Sequence, residues 1–393
     1  MDENPSTEVE QISYEGVSLD ASLKLLWKFL KYNGLVHTPF TNSAKENRIS
    51  STARYVFTFI TTVLIAFMGV YKFVQLIIGM WDTKKMATLI PESITLLMYV
   101  SCIFVFNIIS HRHRILRLFQ DWKTMETQLM CCNSSSIRKI TKIYYASFFI
   151  CLISTIVSTL FWNVKEPESL LFLSHYPIIR DTFGQPLLYI IEYMSMYFAF
   201  IWYFSLCEMC PTIFFFHVGC AIENLEAEWK IQQGNVQAVR RIWERYESIF
   251  QLVDRANDLF GSVIAFNDFT IFSILCNLSF FVITSFKTDT FKAAIFLITI
   301  IAFVFRTVFI NYLLSHLYLS CGKLERSITG LLSRKFHFIF HRDRDLLVSF
   351  LSTLQKRDMA VCPMNLYTVQ PSNLLTILAL IVSYLIILLQ SRE

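Results

Sequence analysis

QPSNLLTILALIVSYLIILLQ, residues 370–390, carries no charged side chain, and as a helix it is long enough to cross the roughly 30 Å hydrocarbon core of a bilayer. Working outward from it, apolar runs over 54–79, 88–110, 143–162, 186–212, 260–285 and 293–317 read the same way. The chain has 54% hydrophobic and 17% charged residues, against roughly 25% charged in an ordinary soluble domain. Lipid is therefore its main solvent. The expected fold is an all-α membrane protein with seven transmembrane helices, in which 1–53 form an N-terminal segment and 54–390 the membrane domain.

Orientation follows from Lys and Arg, which accumulate in short cytoplasmic loops. The N-terminal segment and the loops after spans two, four and six hold 26 of them, against seven on the opposite side. The N terminus is expected in the cytoplasm and, after an odd number of spans, the C terminus outside the cell. The opening MDENPSTEVEQISYEG lacks the basic and apolar regions of a cleavable signal, so the first span is expected to do the targeting. The sequons at Asn133 and Asn277 fall in a cytoplasmic loop and inside a span, beyond the reach of glycosylation. Helices four and six run on past the bilayer as polar helix and are expected to build a cytoplasmic anchor. The 237–259 stretch carries an apolar stripe that suits packing against it. Leu19, Leu23, Leu26, Trp27 and Leu30 repeat at helical spacing with Lys24, Lys28 and Lys31 on another face. That pattern fits a helix on the anionic inner leaflet and a helix packed on the protein's own core equally well.

The net charge of +5 comes from these membrane-flanking residues, so no nucleic-acid partner is implied. There is no phosphate-binding loop, no GxGxxG, no HExxH and no GxSxG, and an enzyme is not expected. The ten cysteines are scattered, several of them in apolar runs where reduced Cys packs as a small hydrophobe, and no metal site, disulfide framework or cofactor is expected.

The last span holds Asn373, Thr376, Leu380, Ser383, Ile387 and Gln390 at 3-4-3-4 spacing, a polar stripe on a Leu/Ile helix. Polar groups in hydrocarbon need partners or water. Two readings fit: close helix–helix packing, or a water-filled path shared between copies, with Ile387 as an apolar constriction.

The closing run Ser383-Tyr384-Leu385-Ile386-Ile387-Leu388-Leu389-Gln390, preceded by Tyr367-Thr368-Val369 and Pro371, resembles the C-terminal signature of the insect gustatory receptor family: Thr-Tyr, five apolar residues, Gln-Phe. Length, span number, internal N terminus and basic loops fit the same family and, more broadly, the related insect odorant receptors. Ser383 stands where the family has Thr, and Ser391 where it has Phe. The resemblance implies a homo- or heterotetramer in the plasma membrane of chemosensory neuron dendrites. It further implies that a small-molecule tastant opens a non-selective cation channel there, to whose pore each subunit donates its last helix. Carried over by position, Thr376, Leu380, Ser383, Ile387, Gln390 and Ser391 line that pore, and Tyr384 packs against neighbouring spans.

The resemblance also places a ligand pocket in the outer half of the bundle. There span four carries Tyr189, Glu192, Tyr193, Met196 and Tyr197, an aromatic row beside one carboxylate that suits a sugar or a nitrogenous compound. An interfacial aromatic belt would use the same residues. Tyr99, Asn277 and Phe296 are further candidates at outer span ends. Arg306 is the basic residue deepest within a span, and Glu208 lies at comparable inner depth, so the two are expected to pair. A G-protein-coupled receptor would need an external N terminus, and neither Asp-Arg-Tyr after span three nor Asn-Pro-x-x-Tyr in span seven occurs.

Overall fold

The computed structural model describes residues 19–32, parts of 56–74, 112–129, 134–165, 208–232, 236–286, 289–335, 341–356 and 359–390. These residues form α1 (Leu19–Tyr32), α2 (Arg112–Leu129), α3 (Ser134–Lys165), α4 (Cys210–Ile231), α5 (Val236–Ser285), α6 (Thr290–Lys335), α7 (His341–Lys356) and α8 (Asn373–Gln390). A single 3-10 turn, Pro363–Asn365, precedes α8. No strand occurs among the described residues. Predicted spans one, two and the outer part of four lie wholly or largely outside them.

α5 runs for 50 residues and α6 for 46, so at 1.5 Å per residue each is roughly 70–75 Å long, more than twice the apolar thickness of a bilayer. Gln237–Phe280 and Ala293–Ser333 within them are long and apolar enough to cross a membrane. The sequence reading treats 237–259 and 260–285 as two segments, whereas the structure makes them one helix. No proline falls between them, and Gly261 stays helical because the chain before α8 lies directly on it. A Cβ at Gly261 would stand 3.1 Å from Met364 N and 3.3 Å from Cys362 O.

Exposed side chains divide the long helices in two. On α6 Phe291, Leu297, Ile298, Ile301, Phe305 and Val308 are exposed, and on α3 so are Ile150, Ile153 and Val157. A contiguous apolar surface of this kind suits acyl chains and not water. Below it on α6 come exposed Tyr312 and Tyr318, the amphipathic aromatics that favour the membrane boundary, and then Lys323 and Arg326. The projecting halves hold together by packing. Phe350 of α7 stacks on Trp243 at 5.7 Å and meets Tyr246 edge-on at 5.8 Å, both on α5. Arg245 of α5 reaches Glu228 of α4 at 2.7 Å.

α4 lies at the centre, with every residue from Cys210 to Gly219 buried. Its Phe214 ring meets Phe119 and Trp122 of α2 at 5.7 and 5.9 Å. α6 is its main neighbour. At Gly219 the two approach so closely that a Cβ would stand 3.1 Å from the Leu317 amide nitrogen.

α1 packs on the protein itself: Leu19, Leu23 and Leu26 are buried in the core while Lys24 and Lys28 are exposed. Its first amide donates to Glu126 of α2 at 2.8 Å, satisfying one of the orphan N–H groups of a helix start. The Tyr145 hydroxyl donates to Ser22 O at 2.8 Å and accepts from Leu26 N at 3.2 Å, bridging a carbonyl and an amide that a regular helix joins directly. The Ser22 hydroxyl in turn meets His217 Nε2 at 2.9 Å.

Candidate pore helix and buried ion pair

Among the described residues, α8 touches the rest of the chain along one narrow strip. Ile381 is buried, Ile377 packs against the core, and the Tyr384 ring lies 6.4 Å from Phe272 of α5. Leu375 is 70% exposed and Leu380 53%, and Thr376, Ser383 and Gln390 are exposed as well. Of the sequence-derived stripe, Thr376, Leu380, Ser383 and Gln390 therefore point away from the rest of the chain, while Asn373 is half-buried. Ser383 Oγ donates to Ala379 O at 2.9 Å, which lets a hydroxyl sit on an apolar helix without an outside partner. The exposed Gln390 amide carries donors and an acceptor that suit water or another polar surface. Ser391 and the Ile387 side chain lie outside the described residues.

The chain entering α8 is strapped to α5. Asn257 donates to Ala360 O at 2.9 Å and accepts from Cys362 N at 3.1 Å, so one amide holds both polar sides of the strap. Met364 and Asn365 adopt left-handed φ angles of 52° and 57°, which reverse the chain over Gly261. The Tyr367 hydroxyl donates to Asp268 of α5, and Val369 N donates to Val361 O at 2.9 Å. Burial, then the Asp268 carboxylate, push the Tyr367 phenol above its ordinary pKa, keeping it a donor. Asn373 opens α8 by donating to Thr368 O at 2.9 Å. Sequence reasoning assigns this strap no role. Its one visible signal is Asp268, a lone carboxylate within an apolar run.

A second polar feature lies inside the bundle. Arg306 Nε donates to Glu208 Oε1 at 2.5 Å, with the two side chains 2% and 0% exposed. The guanidinium carbon stands 5.9 Å from the Tyr144 ring and 5.4 Å from the Phe148 ring of α3. The ion pair thus joins α3, the start of α4 and α6. Aromatic faces replace some of the hydration that the guanidinium has lost.

Of the sequence-derived pocket residues, Tyr99, Tyr189, Glu192, Tyr193, Met196 and Tyr197 lie outside the described residues, as does the Asn277 side chain. Phe296 is buried on α6. One turn further, Thr299 Oγ1 meets Ser154 Oγ of α3 at 3.2 Å. Phe296 is thus a core residue one turn from a polar α3–α6 contact.

Residues 23–393 match the 7tm Chemosensory receptor family, and the chain belongs to that family. Two solved structures of the insect olfactory receptor OR5 from Machilis hrabei share its fold. One, in complex with eugenol, superposes with a TM-score of 0.68 at 16% identity, covering 94% of this chain and 100% of that one. The other, described without a ligand, gives 0.64 at 16% identity with the same coverage. No curated protein matches in sequence.

Proposed function

We propose that this chain is a gustatory receptor subunit: a ligand-gated, non-selective cation channel opened by a small-molecule tastant, with four α8 helices around one pore. The observation that carries this reading is the outward-facing stripe of Thr376, Leu380, Ser383 and Gln390, exposed on a helix that touches the other described residues along a single strip. Such a stripe suits a water-filled junction between copies. In this arrangement Ile387 forms the constriction, Gln390 and Ser391 the outer lip, and Tyr384 holds α8 against α5. The N terminus and the projecting halves of α4, α5 and α6 face the cytoplasm, and seven spans cross the plasma membrane of a sensory dendrite. Partner subunits are copies of this chain or related gustatory receptors.

The tastant pocket occupies the outer bundle, with Tyr189, Tyr193 and Tyr197 beside Glu192 and Met196, and Tyr99, Asn277 and Phe296 on neighbouring helices. A second reading, an olfactory receptor subunit, is favoured by the fold shared with a receptor solved with eugenol. The Ser383-Tyr384 to Gln390 run favours the gustatory one.

The test is expression of the full chain in cultured cells, alone and with related subunits, under a panel of sugars, bitter compounds and volatile odorants. A tastant-evoked cation current that develops within milliseconds and persists when G proteins are blocked supports the channel. Currents that need guanine nucleotide would replace it with a G-protein-coupled receptor, and responses confined to odorants would select the olfactory reading. Gln390→Ala should change reversal potential or unitary conductance; a variant with unaltered permeation would reduce the stripe to helix packing.

A further inference from the structure

Beyond the pore helix and the ion pair, the fold gathers ligand-forming side chains from two helices at the place where they leave the apolar belt. Cys220 and Glu223 stand three residues apart on α4, on one face of the helix, and His316 faces them from α6. One sulfur, one carboxylate oxygen and one ring nitrogen of the three lie within 4.8 Å of one another. His316 Nε2 is 3.4 Å from Glu223 Oε1. The imidazole reaches this position because residue 219 is glycine: a Cβ there would stand 2.5 Å from His316 Nδ1.

Thiolate, imidazole and carboxylate are the ligands zinc takes, at ~2.0–2.3 Å from the metal. Donors around a tetrahedral ion sit ~3.5 Å apart, so small side-chain rotations would close the present spacing. We propose that Cys220, Glu223 and His316 bind one zinc(II) ion per subunit, with water in the fourth position, clamping α4 to α6 at the root of the projecting domain. A thiolate ligand argues against magnesium and calcium, which take oxygen donors. The ion displaces the thiol proton to solvent, and the thiolate sulfur then donates its lone pair to the metal. Glu223 already faces two cationic or donor groups, His316 at 3.4 Å and Lys323 at 2.6 Å. In the orientation proposed above the site faces the cytoplasm, where thiols stay reduced.

Lys323 competes with the metal. Its ammonium lies 2.6 Å from the same Glu223 oxygen, on a side chain 49% exposed that can swing into solvent. No CxxC-type spacing reveals the site, because its third ligand is 93 positions further along the chain than Glu223; only the packing of α4 on α6 brings it in.

The experiment uses the full chain purified in detergent, titrated with zinc chloride against a chromophoric chelator, with metal content read by mass spectrometry. Expected are one zinc per chain, a rise in thermal midpoint on zinc addition, and at least about tenfold weaker binding in Cys220→Ser and in His316→Asn. Lys323→Met should bind at least as tightly as the parent. Should His316→Asn fail to fold, Cys220→Ala, a small apolar replacement in a packed interface, carries the same comparison. A parent protein that holds no zinc at micromolar free metal, or a folded Cys220 or His316 variant that holds it as tightly as the parent, overturns the proposal. The readout is metal content and not current, so it fails or succeeds independently of the pore reading.

Discussion

Arg306 and Glu208 illustrate what a buried charge demands of its neighbours. With side chains 2% and 0% exposed, neither can turn to solvent, and removing one partner strands the other. Arg306→Met should therefore cost about 3–5 kcal/mol of stability, seen as a lower thermal midpoint and reduced surface labelling. The double variant Arg306→Met/Glu208→Met should recover much of it, and a double variant as unstable as the single one would mean that packing dominates over charge. His217 gives a prediction in pH. Burial pushes its imidazole from 6.5 down to about 4, so the folded state keeps it neutral while the unfolded chain takes up a proton near 6.5. Its contribution is intact above that pH and is lost as pH falls from 6.5 toward 4, at no more than about 1.4 kcal/mol per pH unit. Thermal midpoints over this interval should fall more steeply for the parent than for His217→Gln, and parallel curves would remove His217 as the cause.

At the scale of elements, the strap and the close helix crossing decide where α8 and α6 sit. Tyr367→Phe deletes the hydroxyl that donates to Asp268, at a cost of about 1–3 kcal/mol for the acceptor left without it. Because the strap sets the position of α8, this variant should shift the half-activating ligand concentration while leaving unitary conductance unchanged. An unshifted dose–response curve would confine the bond to a structural role. Gly219→Ala places a methyl against His316 and the Leu317 backbone. Backbone gives way less easily than a side-chain tip, so the α4–α6 interface should open at a cost of about 1–3 kcal/mol, measurable as a lower thermal midpoint. A midpoint equal to the parent's would mean the helices separate without penalty.

At the scale of the whole molecule, the apolar exterior of α3 and α6 and the half-uncovered α8 differ in chemistry. The first is lined by Phe, Ile, Leu and Val and suits acyl chains. The second interleaves hydroxyls and an amide with leucines, and in the proposed assembly it meets water and neighbouring subunits. The residue pattern by itself determined that the chain is helical and lives in a membrane, because apolar run length and the bilayer's thickness are both one-dimensional quantities. It also determined which face of α8 is polar, because 3.6-residue periodicity is local. Only the tertiary structure decided that α1 docks on the protein's own core, that residues 237–285 form one unbroken helix, that Asp268 receives Tyr367, and that Cys220, Glu223 and His316 meet. Each of these depends on which side chains from distant segments fill the same space, and a close approach such as Gly219 against Leu317 exists only once two helices are packed.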